Sequence, residues 1–173
     1  MLRLMLFRHA KSAYPAGVED HERPLAERGE KAAPVIGRYM ADQRLVPDLA
    51  VVSTARRAQQ TWALAAEALG KVIRRRDEAR IYEAPAALVE VIRQTPSGVG
   101  TLLLVGHNPG LQDLALDLVG GGDKDALARL RAKYSTAGLA VIDFDVRRWS
   151  DVSPGGGSLE RFVTPKSVKA ERD

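Results

Sequence analysis

Leu2-Arg3-Leu4-Met5-Leu6-Phe7-Arg8-His9 reads as a buried strand that ends abruptly in a cation and an imidazole. A short apolar run bounded by polar residues suits a strand covered on both faces. Two further runs repeat the pattern: Leu49 to Val52 empties into Ser53-Thr54-Ala55-Arg56-Arg57, and Thr101 to Val105 leads into Gly106-His107-Asn108-Pro109-Gly110. A fourth apolar run covers Gly138 to Phe144. Helical stretches are expected between and after them, near Ala26 to Gln43, Arg57 to Leu69, Ala86 to Gln94, Leu111 to Val119 and Asp125 to Tyr134. Pro34 lies inside the first and is expected to kink it or shift its start. Short Leu- and Val-rich runs alternating with longer helices specify an α/β fold with a mainly parallel sheet.

In an open sheet of this kind the carboxyl ends of the parallel strands share one edge, and ligands bind in the crevice there. Arg8, His9, Arg57 and His107 therefore converge although they are far apart in sequence. Two arginines and two histidines with no carboxylate among them repel one another unless an anion sits between them. The pattern is that of a phosphate pocket. The polar stretch Lys11 to Pro24, with Pro15 and Gly17, follows Arg8-His9 directly and is expected to arch over the site.

A chain of 173 residues suits one domain, expected over residues 1–165, with Lys166 to Asp173 as a frayed tail. Hydrophobic residues at 45% and charged residues at 28% argue against extended disorder. With no cysteine, disulfides and thiolate metal sites are excluded, and a cytoplasmic setting is expected. Met1 to Phe7 is apolar, but Arg8, His9 and Lys11 interrupt it long before a signal-peptide core or a membrane span of about 20 residues could form. The net charge of +4 is spread along the chain, with Arg74-Arg75-Arg76 the only basic triple, and aromatic residues make up 5%. That composition points away from nucleic acid, and the triple reads as a solvated turn. Gly120-Gly121-Gly122 and Gly155-Gly156-Gly157 also read as turns, because neither follows a strand and opens a helix as a nucleotide fingerprint does.

The strings FRHAKS at 7–12, STARRAQQT at 53–61 and VGHNPG at 105–110 resemble the histidine phosphatase superfamily (branch 1), and within it the SixA-type phosphohistidine phosphatases. ERPLAERG at 22–29, the stretch around Ile81-Tyr82-Glu83 and the tail Phe162-Val163-Thr164-Pro165-Lys166 extend the likeness over nearly the whole chain. The resemblance implies a three-layer α/β/α sandwich of phosphoglycerate mutase-like fold. It also implies a phosphatase that needs no cofactor and forms a covalent phosphohistidine intermediate. The implied partner is a phosphorylated protein, such as a histidine-containing phosphotransfer domain of a signalling relay, or a small phosphorylated molecule. Phosphoglycerate mutases of the superfamily begin their motif with Arg-His-Gly and a nearby asparagine; here Ala10 and Pro15 stand in those places, and the chain is short for the mutases' glutamate insertion. Mutase activity is not expected.

His9 is the expected nucleophile, since a neutral imidazole can carry a phosphoryl group and divide one hard displacement into two easier ones. Flanking Arg8 and Arg57 disfavour the imidazolium and keep the attacking nitrogen free. The other nitrogen is expected to donate to a backbone carbonyl. Arg8 and Arg57 suit phosphoryl oxygens because guanidinium offers a planar fork of donors with permanent charge. The family pattern puts its arginine immediately before Ala58, which assigns the role to Arg57 and leaves Arg56 on the surface. His107 is expected to donate to the transferred group, with Ser12 and the backbone of Asn108 as further donors and the turn before a helix favouring an anion. Glu83 is the candidate proton donor, against the plain reading of an exposed glutamate opening a helix. His21 is expected in solvent.

A catalytic metal is not expected, because the histidines have arginine rather than carboxylate around them. A serine hydrolase is excluded by the lack of a Gly-x-Ser-x-Gly elbow. Two alternatives to a protein phosphohistidine phosphatase remain open: a small-molecule phosphomonoesterase with the same pocket, and a phosphoprotein-binding module without turnover.

Overall fold

The four apolar runs form β1 (Leu2–Arg8), β2 (Leu49–Ser53), β4 (Thr101–Gly106) and β6 (Leu139–Phe144) of a computed structural model that describes residues 1–172. Three more strands, β3 (Arg74–Glu78), β5 (Val119–Gly122) and β7 (Gly157–Val163), complete a seven-stranded sheet in the order β3-β2-β4-β1-β6-β7-β5. β1 pairs in parallel with β4, β4 with β2, β2 with β3 and β5 with β7, while β6 runs antiparallel to both β1 and β7. The sheet is mainly parallel, as the alternation of runs and helices requires.

Side chains alternate across β1, and both faces are covered. Leu4 and Leu6 join a core with Ile81, Val91, Leu111 and Leu130, which belong to α3 (Ala79–Glu83), α4 (Leu88–Arg93), α5 (Gly110–Leu118) and α6 (Lys124–Ala132). Met5 and Phe7 join the opposite core with Ile36, Trp62 and Val168, from α1 (Glu27–Asp42), α2 (Arg56–Leu69) and α7 (Pro165–Arg172). These are the three layers of the phosphoglycerate mutase-like sandwich. Leu4, Met5, Leu6 and Phe7 are 0% exposed, and each such side chain contributes about 1.5–3 kcal/mol, which anchors the strand end that carries Arg8 and His9.

Two glycines let backbones meet behind that strand end. A Cβ on Gly37 would lie 2.1 Å from the Ala65 carbonyl oxygen, so glycine is what allows α1 and α2 their close approach. A Cβ on Gly29 would lie 2.1 Å from the carbonyl oxygen of Lys11, so the first turn of α1 packs directly on the segment after His9. α1 runs through Pro34 without interruption.

Arg74-Arg75-Arg76 is not a turn but β3, an edge strand whose first four residues are exposed. Charged side chains suit an edge, where they block further strand pairing. Gly120-Gly121-Gly122 belongs to β5 at the opposite edge, and Gly157 opens β7 after a turn at Pro154 and Gly155. The helix expected over Ala86 to Gln94 is a 3-10 turn at Pro85–Ala87 followed by α4. The stretch expected to fray is helical as α7, tied down by Val168, which is 2% exposed. Asp173 lies outside the described residues. Among the described residues no helix is long and apolar enough to cross a membrane.

Candidate active site

Parallel pairing brings three strand ends together: Arg8 is opposite Gly106 across β1 and β4, and Val105 is opposite Val52 across β4 and β2. The His9 N–H donates to the Gly106 carbonyl at 3.0 Å. Thr61 locks the helix that follows β2 onto the segment after β1, accepting from the Ala10 N–H at 2.9 Å and donating to the Arg57 carbonyl at 2.7 Å. Between these ends lies a pocket of about 210 Å³. Arg8, His9, Ser12, Arg57, His107 and Asn108 all line it, joined by Lys11, Tyr14, Arg23 and Thr136.

His9 is 7% exposed, and its Nδ1 lies 2.7 Å from the Ala10 carbonyl oxygen. A carbonyl can only accept, so Nδ1 carries the proton and Nε2 keeps its lone pair. Burial first, with His107, Arg57 and Arg8 adding repulsion, pushes the ring down to about 3 against the partial opposition of the Ala10 hydrogen bond. Desolvation, rather than the arginines alone, keeps this imidazole neutral. The His107 ring centroid is 5.2 Å from that of His9.

Arg57 is 6% exposed whereas Arg56 lies on the surface, the split that a helical rotation of about 100° per residue produces. Arg57 Nη1 donates to the Asp20 carbonyl at 2.8 Å and Nη2 to the Asp20 carboxylate at 3.2 Å. Arg8 Nη1 donates to the Tyr134 carbonyl at 2.7 Å, and burial draws its pKa below the ordinary arginine value. Among the described residues, four buried side-chain polar atoms lack a hydrogen bond: Arg8 Nε, Arg57 Nε and His107 Nδ1, which have no partner, and Arg23 Nε, which is in an ion pair with Asp20 at 3.2 Å. All four belong to residues lining the one pocket. Buried polar groups without partners are rare, and a convergent set of nitrogens around one cavity is suited to an anion.

The sequence pattern of the histidine phosphatase superfamily (branch 1) matches residues 4–85, which include Arg8, His9 and Arg57. A candidate phosphohistidine phosphatase SixA from Agrobacterium tumefaciens is 32% identical and superposes with a TM-score of 0.79 over 95% of this chain and 98% of that one. The chain belongs to the histidine phosphatase superfamily. A candidate SixA from Nakamurella multipartitia superposes with a TM-score of 0.82 at 26% identity, over 95% of this chain and 96% of that one. An uncharacterized protein of Mycobacterium tuberculosis is 39% identical over 162 residues, 92% of this chain and 99% of the relative. These likenesses make this histidine phosphatase superfamily member a phosphatase.

Within this phosphatase the remaining expected residues take different positions. Ser12 is 6% exposed, and its hydroxyl accepts from Arg23 Nη2 at 3.0 Å, so it orients an arginine. Asn108 lines the pocket, and its side chain accepts from the Gln112 N–H at 3.2 Å in the first turn of α5. Glu83 ends α3 in an exposed position and does not line the pocket. His21 is not a free solvent residue: its Nε2 lies 3.0 Å from Thr54 Oγ1, and its ring meets Tyr82 edge-on at 4.8 Å.

Arg23 and Asp20 were not legible from the motifs. No carboxylate is among the residues that line the pocket, but Asp20 pairs with two of the arginines that do. Asp20 accepts from Tyr82 Oη at 2.7 Å and ion-pairs with both Arg57 and Arg23 at 3.2 Å. The Tyr82 hydrogen bond, then the two arginines, hold this carboxyl below the usual aspartate range. Arg23 is 8% exposed and lies 3.9 Å beneath the exposed Tyr14 ring at the pocket mouth. The loop from Lys11 to Pro24 thus arches over the site as expected, carrying ionic contacts that no local spacing announces. No group of three or more histidines, carboxylates or cysteines suited to a metal occurs among the described residues.

Proposed function

We propose that this phosphatase hydrolyses phosphohistidine on another protein, with His9 as the carrier of the phosphoryl group. Nε2 of His9 attacks phosphorus as the phosphorus–nitrogen bond to the substrate imidazole breaks and that ring takes up a proton from solvent. Water then attacks the phosphorylated His9, releasing inorganic phosphate and restoring the neutral ring. Arg8 and Arg57 hold the phosphoryl oxygens, and His107 donates to them, as positioning and charge stabilisation are what this chemistry asks of a protein. No metal or other cofactor is assigned a role.

The observation that carries the reading is the buried His9 ring, fixed at Nδ1 by the Ala10 carbonyl, in a pocket lined by Arg8, Arg57 and His107, each of which holds a buried nitrogen without a partner. Two further features favour a protein phosphohistidine. At about 210 Å³ the pocket is smaller than the roughly 300–1,000 Å³ of sites that enclose a whole small molecule, so it suits a phosphoryl group whose carrier stays outside. Asp20 is held ionised and Glu83 is away from the pocket, so neither is placed as a proton donor to an alkoxide. Imidazole leaves phosphorus more readily than an alkoxide does. The SixA relatives are described as candidate phosphohistidine phosphatases, which agrees with this substrate class.

The test is a side-by-side assay of a phosphorylated phosphotransfer domain, a phosphoserine peptide and a set of sugar phosphates. The phosphohistidine domain is expected to have much the largest kcat/KM. A higher value on the esters would select a small-molecule phosphomonoesterase instead, and no turnover on any of them a binding module.

A further inference from the structure

Ser53 ends β2 at 0% exposure, and its hydroxyl stands between two nitrogens. Its oxygen accepts from the Ala55 N–H at 3.2 Å and lies 2.7 Å from Nε2 of His107. The backbone N–H can only donate, so it occupies a lone pair of Oγ and cannot take the hydroxyl hydrogen. Nε2 of His107 can. If Nε2 were instead the donor, the hydroxyl hydrogen would be left in a fully buried place without either partner to accept it, which proteins avoid.

A neutral imidazole carries one proton, so an accepting Nε2 puts that proton on Nδ1. Nδ1 of His107 is buried and has no partner in the protein. The ring lines the same pocket as His9 and Arg57. With the opposite tautomer the ring would turn a bare lone pair, rather than an N–H, to that side and repel an anionic oxygen.

We propose that Ser53 is a positioning residue that fixes His107 as its Nδ1–H tautomer, so that the ring donates to a phosphoryl oxygen. The assignment rests on reading the pocket as a phosphoryl site, and it adds the reason His107 acts as a donor while uncharged. The serine is itself anchored on two sides, since its carbonyl accepts from Gln59 Nε2 at 2.7 Å and the β2–β4 pairing places it beside the strand end that leads to His107. Burial first, then Arg57, pushes the His107 ring down to about 4, so its tautomer rather than its charge sets what it offers at neutral pH.

The experiment reads the ring nitrogens of His107 by long-range nitrogen-15 NMR on labelled protein at pH 7. Wild type is expected to show a protonated Nδ1 and a bare Nε2. Ser53→Ala should mix the tautomers and lower kcat/KM about 10- to 100-fold, the usual scale for losing the residue that orients a functional histidine. Ser53→Thr keeps the hydroxyl and should restore both the spectrum and the rate. A protonated Nε2 in wild type, or a Ser53→Ala protein with unchanged spectrum and rate, overturns the proposal. Should the added methyl of Ser53→Thr unfold the protein, the wild-type spectrum decides alone. Failure of the phosphoryl-site reading is separate: it would appear as absence of phosphate on His9 with the Nδ1–H tautomer intact.

Discussion

Arg57 grips Asp20 by two atoms, its carbonyl at 2.8 Å and its carboxylate at 3.2 Å, across a separation of 37 residues. The contact ties the loop after β1 to the start of α2 and places a negative charge against a guanidinium that faces the pocket. Asp20→Asn keeps an oxygen for Arg57 and Tyr82 but removes that charge. Ion pairs with one exposed partner contribute about 0.2–1 kcal/mol, so tungstate and phosphate should inhibit about 1.4- to 5-fold more tightly in the variant. Inhibition constants measured at fixed ionic strength check this; weaker inhibition would show that the carboxylate serves the pocket rather than competing with its anion.

Arg56 and Arg57 are neighbours with opposite fates, one on the surface and the other 6% exposed. Arg57→Ala should lower kcat/KM about 100-fold or more, the scale for losing one preorganised donor to a transition-state anion. Arg56→Ala should change it less than about 2-fold, as expected of a surface charge. Steady-state kinetics of the two variants side by side decides, and a larger loss in Arg56→Ala would move the motif by one residue.

The pH behaviour follows from two histidines held neutral, His9 pushed to about 3 and His107 to about 4. Unfolded histidines titrate near about 6.5. Above that pH both states carry neutral rings and these groups leave stability unchanged. Below it the unfolded chain binds protons that the native chain refuses, so stability falls as pH drops from about 6.5 towards 3. An NMR titration should find both rings still neutral at pH 5.5; a midpoint near 6.5 for either would mean that burial does not hold it neutral.

Activity should survive EDTA, since the nitrogens lining the pocket come with the charges of Arg8, Arg23 and Arg57, which repel a cation. Vanadate and tungstate should inhibit competitively, vanadate more tightly than phosphate because it adopts the five-coordinate geometry of in-line transfer. Loss of activity on chelation, with recovery on adding a divalent metal, would refute a site built from arginine and histidine alone.

The central strands were legible because β1, β2, β4 and β6 are buried on both faces and must read as apolar runs. β3 was not, because an edge strand bonds on one side only and can be written Arg-Arg-Arg-Asp-Glu. β5 hid behind three glycines whose role depends on β7, a long-range partner that no local pattern reveals. The site divides the same way. Arg8, His9, Arg57 and His107 lie at or just beyond strand ends, where sheet topology dictates convergence. Arg23, Asp20 and Ser53 act through contacts formed only when the loop, helix and strands meet, and as single letters they resemble ordinary surface or turn residues.

The covalent mechanism proposed for this phosphatase requires His9 to carry the phosphoryl group. Protein quenched during turnover of a phosphorus-32 phosphohistidine domain should hold acid-labile, alkali-stable label, which peptide mapping places on His9. The label should be absent from a folded His9→Ala variant that has also lost turnover. Substantial turnover by that folded variant, or label mapped to another residue, would overturn the covalent mechanism through His9.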